Sequence, residues 1–366
     1  MKSRLANILL LLVVTVAPLA LADVAFRFYE SRALTASYKP DGPVVDLQAL
    51  NYNDTSVAKA KAPGELRILS FGASFCFSIV RFPASYNGIV QRALTRPDRP
   101  ARVVNLGEPS SSFLQYAASM LNWMPQLEHD AVIVNIFLGN DRSESAREEI
   151  PNDGRINRMM GNNFVDVQSG RKRMRHVPRK FPLRMLDFAY AYVMYYVQGA
   201  SVDHTVPEPY TFALGPMPEP NWLRISSRHL EGCDPTALPL LEKASRDVAI
   251  LGKILSDVQA QGKRVLVVFS PAEVQVNPGL LAKAAARLER DPASFDVEQP
   301  ARLLRKWLGE SAPNVPILDL QPVIRDAFDK GVKVYYPLEP RWSAEGNRIA
   351  GDTISAWITA NWPEMR

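Results

Sequence analysis

The chain has 366 residues and a mass of 40.8 kDa, which suits one large α/β domain or two small ones. Hydrophobic residues make up 47% and charged residues 22%, the composition of a globular protein and not of a disordered one. The net charge of +5 is too mild to indicate a nucleic-acid partner. Because zinc-type Cys/His spacing, a Walker-type phosphate loop and internal repeats are all absent from the sequence, we predict no metal and no organic cofactor.

The N-terminus has the three parts of a secretory signal. Lys2 and Arg4 precede an apolar run over residues 8–22, which ends in small residues. The alternative is an uncleaved membrane anchor over residues 5–26, since a span needs roughly 20 residues. Both alternatives predict an extracytoplasmic, periplasmic protein, either secreted after cleavage at Ala22 or tethered by a transmembrane helix.

The rest of the chain divides by pattern. Residues 1–27 form the signal or anchor, residues 28–63 an irregular, proline-containing lead-in, and residues 64–362 a domain in which strands and helices alternate. Short apolar runs predict strands over 66–71, 102–105, 131–137, 264–269 and 316–320. Helical spacing predicts helices over 86–94, 113–127, 241–262 and about 279–309, and a final helix that Ser343 caps.

Residues 142–240 interrupt this alternation with a basic run, an aromatic stretch and a proline-rich segment. We interpret them as an insertion that forms a cap. The alternation predicts a three-layer α/β/α domain around a flavodoxin-like parallel sheet. Ligands of such sheets bind at the carboxyl ends of the strands, so the residues that follow each strand are the candidates for function.

Three strand ends carry residues suited to acyl transfer. Ser74 follows the first predicted strand, Gly107 the second, and Asn140 with Asp141 the third. A serine on a glycine turn is exposed, and a glycine N–H and an asparagine amide can converge on an oxyanion beside it. Each aligned donor of this kind contributes roughly 3–4 kcal/mol to the stabilisation of the transition state.

The order and spacing of these residues resemble the SGNH hydrolases, also called GDSL-type esterases. In that resemblance Ser74 matches the nucleophile, Gly107 the oxyanion glycine and Asn140 the oxyanion asparagine. It covers about residues 65–141 and 262–360, and leaves the insertion unmatched.

The resemblance is closest to the extracytoplasmic branch that works with membrane-bound O-acyltransferases in polysaccharide modification. It implies a polysaccharide or acyl-ester substrate, and a membrane-bound acyltransferase or other inner-membrane partner. It also implies that Asp141, beside Asn140, binds substrate.

The sequence departs from the family pattern at two places. Ala73 stands where the family usually has Asp, and the Asp-x-His-Trp-Ser segment of that branch is replaced by one that runs from Glu339 through Arg341 to Ser343. Arg341 cannot act as a base, because a guanidinium stays protonated. Glu339 is the candidate base that remains, acting on Ser74 directly or through water. Arg341 either binds an anionic group of the substrate or has a structural role, in an ion pair with Glu339 or stacked on Trp342.

The histidines and cysteines leave further alternatives. His129 precedes the third strand and is predicted to be a surface residue, and His176 lies in the basic run. His204 and His229 lie in the insertion, where either could supply a replacement base. The two cysteines at positions 76 and 233 are interpreted as buried residues, with a disulfide between them as the alternative for an exported chain.

Two functions follow from these features. The first is an esterase or O-acyltransferase homologue that acts on or near envelope or extracellular glycans, with weak or absent hydrolase activity because Arg341 replaces the histidine. The second is a non-catalytic, glycan-binding or membrane-complex accessory subunit that keeps the fold.

Overall fold

The structure is a computed structural model, and it describes residues 14, 17–25, 42–48, 50, 52–109, 111–147, 163–166, 171–174, 186 and 217–365. Residues 17–25 are helical. Among the described residues, no helix combines the length and the apolar character that a membrane span requires. The choice between a signal peptide and an anchor falls mostly outside the described residues and stays a prediction.

Five parallel strands form the central sheet, in the spatial order β4-β3-β5-β8-β9. Nine strands are described, of which β1 and β2, and β6 and β7, make two separate antiparallel pairs. Their bounds are β1 Val44–Val45, β2 Val57–Ala58, β3 Leu66–Gly72, β4 Ala101–Gly107, β5 Ala131–Phe137, β6 Asn163–Asp166, β7 Arg171–Met174, β8 Arg264–Ser270 and β9 Ile317–Asp319. The central order is that of the flavodoxin-like sheet.

Helices cover both faces of this sheet. In chain order they are α1 Ser74–Phe77, α2 Tyr86–Leu94, α3 Phe113–Trp123, α4 Asp141–Arg147, α5 Glu219–His229, α6 Leu238–Leu241, α7 Ser245–Ala260, α8 Glu273–Val276, α9 Pro278–Arg287, α10 Gln299–Ser311, α11 Gln321–Asp329 and α12 Ala344–Asn361. The sequence-based prediction of a three-layer α/β/α, flavodoxin-like fold is confirmed by this arrangement.

The sheet separates two hydrophobic cores. Ile68 and its same-face neighbours pack against α2 and α12, whereas Leu69 and its neighbours pack against α3, α7 and α10. Strands buried on both faces are apolar at most positions, which explains the short apolar runs of the sequence. On the Ile68 face the apolar rows give way to Ser70, Asn105 and Asn135 near the carboxyl ends of the strands.

The lead-in is less irregular than the sequence indicates. It contains the β1–β2 hairpin, and two of its side chains reach the central sheet. The Asn53 amide donates to the carbonyls of Phe77 and Val80 at 2.8 and 2.7 Å. The Asp54 carboxylate accepts from the N–H of Asn105 at 2.8 Å. The lead-in therefore holds the segment after β3 in place through hydrogen bonds from Asn53.

The predicted strands and helices occur where the pattern placed them, with small shifts at their ends. The strand over residues 131–137 and the helix over residues 86–94 have the predicted bounds. Helix α11 was not predicted. Within the predicted insertion, α5 contributes Trp222 to the core on the Ile68 face of the sheet. Four parts of the insertion lie outside the described residues, namely 148–162, 167–170, 175–185 and 187–216.

A substitution at Gly107 tests the close packing at the end of β4. A Cβ at this position would lie 2.3 Å from the backbone nitrogen of Phe77 and 2.8 Å from Cys76 Cβ. Because backbone atoms cannot move aside, we expect Gly107→Ala to lower the free energy of unfolding by about 3 kcal/mol. Urea unfolding of the purified chain measures this change.

Gly309→Ala provides the matched control. No atom lies within 4 Å of a Cβ built at Gly309, which sits inside α10. Alanine there should raise the free energy of unfolding by up to about 1 kcal/mol, since glycine is the poorer helix former. Equal effects of the two substitutions would contradict the packing described for Gly107.

Candidate active site

Ser74 lies on a tight turn between β3 and the one-turn helix α1. The turn starts at Gly72, whose φ of +156° favours glycine. A Cβ at Gly72 would meet the carbonyl oxygen of Asn135 at 2.5 Å. The Ser74 side chain is half-buried, and its hydroxyl makes no hydrogen bond to any residue that the structure describes. The hydroxyl is therefore available to a ligand, but no described base is hydrogen-bonded to it, as activation of a serine nucleophile requires.

Gly107 lies directly beside this turn, at the end of β4. It pairs with Gly72 across the two parallel strands. Its N–H donates to Asn105 Oδ1 at 3.0 Å, so the predicted oxyanion donor already has an acceptor. Binding of an oxyanion at Gly107 therefore requires the Asn105 amide to give up or share this bond.

Asn140 and Asp141 follow β5, and their side chains differ in burial. Asn140 is half-buried, and its carbonyl accepts from the Ser143 hydroxyl at 3.1 Å. Asp141 is 1% exposed, and its Oδ2 accepts from the Phe137 N–H at 2.8 Å and from the Tyr116 hydroxyl. Both bonds are made by Oδ2 and hold the carboxylate inside the protein, and the role of Asp141 in substrate binding stays a prediction. The Asp141 carboxylate fixes the turn that carries Asn140.

Glu339 and Arg341 form an ion pair in the loop before α12. Arg341 Nε donates to Glu339 Oε1 at 2.5 Å, and the two side chains are 26% and 5% exposed, Arg341 being the more exposed. The loop is closed by a bridge between Tyr335 and Trp342, and it holds Leu338 at a φ of 53°. Of the two alternatives for Arg341, the structure shows the pair. The carboxylate predicted to act as the base is bound to a cation.

Aromatic rings join the Ser74 turn to this loop. The Phe75 ring stacks on Phe137 at 4.3 Å and meets the edge of Trp342 at 4.8 Å between ring centroids. The His229 ring packs at right angles on Phe137, at 5.2 Å. The segments that bear Ser74, Asn140 and Glu339 are therefore packed on one another through the residues next to them.

His229 is not placed to serve as a replacement base. It is 6% exposed, and burial lowers its pKa to about 4, so the ring is neutral at ordinary pH. It contacts Phe137, and it has no hydrogen bond to Ser74. His176 and His204, the other histidines beyond the third strand, lie outside the described residues.

His129 lies at the opposite edge of the sheet, as predicted, but it is buried and not on the surface. Its side chain is 7% exposed, with Nδ1 bonded to the Leu127 carbonyl at 2.7 Å and Nε2 to Lys263 Nζ at 3.0 Å. It lines a cleft of about 1020 Å³ at that edge. The prediction of a surface residue is wrong because Lys263 covers the ring.

The two cysteines are free and buried. Cys76 lies under the Ser74 turn with its sulfur 3.4 Å from the Ser70 hydroxyl, and burial raises its thiol pKa. A buried thiol with a raised pKa is a poor nucleophile. The structure thus has the buried cysteines of the first interpretation and no disulfide between positions 76 and 233.

Glu273 is a strand-end carboxyl that the sequence analysis missed. It opens α8, three residues after β8 ends, on the same edge of the sheet as Ser74 and Asn140. Burial raises its pKa to about 7, against a lesser lowering by the hydrogen bond from the Asn277 amide. The rule that selected Ser74, that functional residues follow the carboxyl ends of buried parallel strands, would also have selected Glu273.

The pH dependence of stability tests the environment of Glu273. Because the folded-state pKa is raised from 4.5 to about 7, this carboxyl stabilises the fold at low pH. That contribution is lost as the pH rises from about 4.5 to about 7, and it amounts to about 3 kcal/mol at most. We expect Glu273→Gln to remove this part of the pH dependence when unfolding is measured between pH 4.5 and 8.

Glu345→Gln is the control for this measurement. Glu345 is an exposed carboxylate whose pKa is lowered by its hydrogen bond from Arg348. Its loss should leave the decline in stability between pH 4.5 and 7 in place. The environment described for Glu273 is refuted if wild type and Glu273→Gln show the same decline.

Comparisons with known proteins give likenesses of fold. No protein-family model matches the chain. No curated protein matches it significantly.

Among solved structures, the acetyl xylan esterase AlAXEase has 11% identity over 80% of this chain and 99% of its own, with a TM-score of 0.40. A two-domain esterase (CEX) active on acetylated mannans has 9% identity over 81% of this chain and 50% of its own, with a TM-score of 0.39. A structure assigned to the G-D-S-L family of lipolytic proteins, from Desulfitobacterium hafniense DCB-2, has 13% identity over 79% and 98%, with a TM-score of 0.34.

The fold assignment rests on this chain's own strand order and strand ends, and no residue role is taken from the matched proteins. The sheet order is the flavodoxin-like one, and Ser74, Gly107 and Asn140 follow three neighbouring strands on one edge. The chain has a flavodoxin-like α/β/α fold with Ser74, Gly107 and Asn140 at the carboxyl ends of three neighbouring strands, as the resemblance to the SGNH hydrolases predicted.

Proposed function

We propose that the chain is an SGNH-type acyl-ester domain, an esterase or O-acyltransferase homologue that acts on or near extracytoplasmic glycans and turns over slowly. The observation that carries this proposal is the Ser74 hydroxyl, which is half-buried on a tight turn and hydrogen-bonded to none of the described residues. The glycan ester as substrate and the periplasm as location come from the sequence resemblance and the N-terminal pattern.

The chemistry proposed for this edge is transfer of an acyl group through Ser74. The Ser74 oxygen bonds to the ester carbonyl carbon, its proton passes to a base, and the bond to the glycan oxygen breaks, that oxygen leaving with the proton. Water or an acceptor hydroxyl then takes the acyl group from Ser74, and the proton it loses returns to the Ser74 oxygen. The Asn140 amide and the Gly107 N–H would stabilise the oxyanion, the latter after release from Asn105.

The weak step is the transfer of the Ser74 proton. Arg341 occupies the histidine position and cannot accept a proton, and it binds Glu339, the candidate base of the same loop, at 2.5 Å. In subtilisin, loss of the histidine from the serine triad costs on the order of a millionfold in turnover. The chain is therefore expected to acylate slowly.

A second candidate function is a non-catalytic glycan-binding or accessory subunit. The Glu339–Arg341 ion pair favours it, because it closes the catalytic loop with a structural contact. A membrane-bound acyltransferase or another inner-membrane partner remains a prediction from the resemblance. Reaction of Ser74 with an active-site probe distinguishes the two functions.

A fluorophosphonate probe tests Ser74 directly. Such probes bond to serine hydroxyls that sit beside oxyanion donors, so we expect covalent labelling of the full chain at Ser74, with loss of labelling in Ser74→Ala. Intact-protein and peptide mass spectrometry measure the label. Ser294→Ala, in the short helical turn Pro292–Ser294, is the control and should label like wild type. A folded wild-type chain without label would favour the accessory function.

Arg341→His tests whether the missing base is the cause of slow turnover. The loop already holds position 341 beside a buried carboxylate, which would orient an imidazole as in a serine triad. We expect hydrolysis of p-nitrophenyl acetate to rise about 10²-fold, with activity increasing through about pH 6.5. Arg341→Lys keeps the charge and should show no gain. Equal rates for the histidine and lysine variants would show that position 341 does not reach Ser74.

A further inference from the structure

Arg142 is a buried cation immediately behind the Asn140 turn. It lies in α4, two residues after Asn140, and is 2% exposed. One of its terminal nitrogens, Nη2, donates to the Gly232 carbonyl. Its guanidinium carbon lies 6.0 Å from the centre of the Trp307 ring. These contacts fix the position of the guanidinium, but they engage only some of its N–H groups.

Most of the donors of Arg142 have no acceptor among the described residues. Nε and Nη1 are both buried and make no hydrogen bond within the part of the chain that the structure describes. A guanidinium carries five N–H groups, one of them on Nε and two on Nη1, so three lack an acceptor there. Buried polar groups in proteins are nearly always hydrogen-bonded, and an unsatisfied set of this size indicates a missing partner such as a water or an ion.

Arg67 shows how this chain satisfies an equally buried arginine. Arg67 is also 2% exposed, yet its Nε and Nη2 donate to the Glu65 carboxylate at 2.6 and 3.0 Å. Its Nη1 donates to the Ala58 carbonyl at 2.8 Å. Arg67 thus has both a counter-charge in contact and an acceptor for each nitrogen, whereas Arg142 has one carbonyl within the described ranges.

The charge of Arg142 is not neutralised by contact with any described side chain. Burial lowers its pKa to about 10, the Glu231 carboxylate opposes this, and the group stays protonated at neutral pH. Cys233 supplies no negative charge, because burial raises the pKa of its thiol to about 12. Glu231 lies near enough to act on Arg142 and makes no ion pair with it. Burial of an uncompensated cation is strongly destabilising.

We propose that Arg142 binds a small free monovalent anion, a halide ion or a small carboxylate such as acetate, at Nε and Nη1. An anion supplies the acceptors that Nε and Nη1 lack and the counter-charge that the neighbouring side chains do not provide. Gly232 lies against the Asn140 turn, since a Cβ on it would be 3.4 Å from the Leu138 carbonyl oxygen. The anion therefore stabilises the base of the turn that carries Asn140.

Bromide soaking locates the anion. Crystals of the full chain grown in chloride are soaked in sodium bromide, and anomalous diffraction is collected at the bromine edge. We expect an anomalous peak within hydrogen-bond distance of Arg142 Nε or Nη1. A carboxylate from residues 148–216 or a water in that place, with no peak, would overturn the proposal. Acetate in place of bromide distinguishes a carboxylate site from a halide site.

Thermal unfolding provides the matched test in solution. Chloride or acetate replaces isethionate, an anion too large for the site, at constant ionic strength. For wild type we expect a rise in Tm on the order of 5 °C at saturation with the anion that binds. Arg142→Met should lose this dependence, and should be at least as stable as wild type in isethionate, since it removes an unneutralised charge.

Arg102→Met is the control, because Arg102 pairs with Asp54 at 2.7 Å and needs no anion. It should lower Tm and keep the anion dependence of wild type. The proposal is wrong if Arg142→Met and wild type respond alike to both anions, or if Arg142→Met is the more stable at every anion concentration. Should Arg142→Met fail to fold, the bromide map of the wild-type chain decides the question.

Discussion

The closeness of the Ser74 turn to the backbones of β4 and β5 is the constraint on which the rest of the site depends. Gly72 passes so near Asn135, and Gly107 so near Phe77, that a single methyl group at either position would overlap backbone atoms. This contact places a one-turn helix at the end of β3 and leaves Ser74 at its first position. The lead-in, through Asn53, and the aromatic packing of Phe75 then hold that turn from two sides.

The charge of Arg341 limits what this arrangement can do. The strand ends bring Ser74 and Asn140 to one edge of the sheet, and the Phe75–Trp342 contact brings the loop before α12 against them. A serine triad needs a neutral imidazole at position 341, whereas the loop has the guanidinium of Arg341, which is bound to Glu339. Glu273, a described carboxyl on this edge whose pKa is near neutrality, belongs to the end of β8 and bonds to the Asn277 amide.

The sequence predicted the sheet well because four of the five central strands are almost entirely buried on both faces and therefore read as apolar runs. Residues 131–137 illustrate this, with predicted and observed bounds the same. The sequence is less informative where contacts between distant residues decide the environment of a side chain. The fate of the Asp141 carboxylate depends on Tyr116, 25 residues away, and the burial of His129 depends on Lys263, 134 residues away. No local pattern contains that information.

Some residues of the site are needed by the fold itself, whereas others would be needed only for a reaction. Gly72 and Gly107 are required by packing, Asp141 by the turn it closes, and Trp342 by its contact with Phe75. Their presence would follow from the fold alone and does not by itself indicate catalysis. The Ser74 hydroxyl is different, because it bonds to none of the described residues and fills no core position. An alanine would satisfy the turn equally well, so the reason for a serine at this position lies in what the hydroxyl meets from solvent.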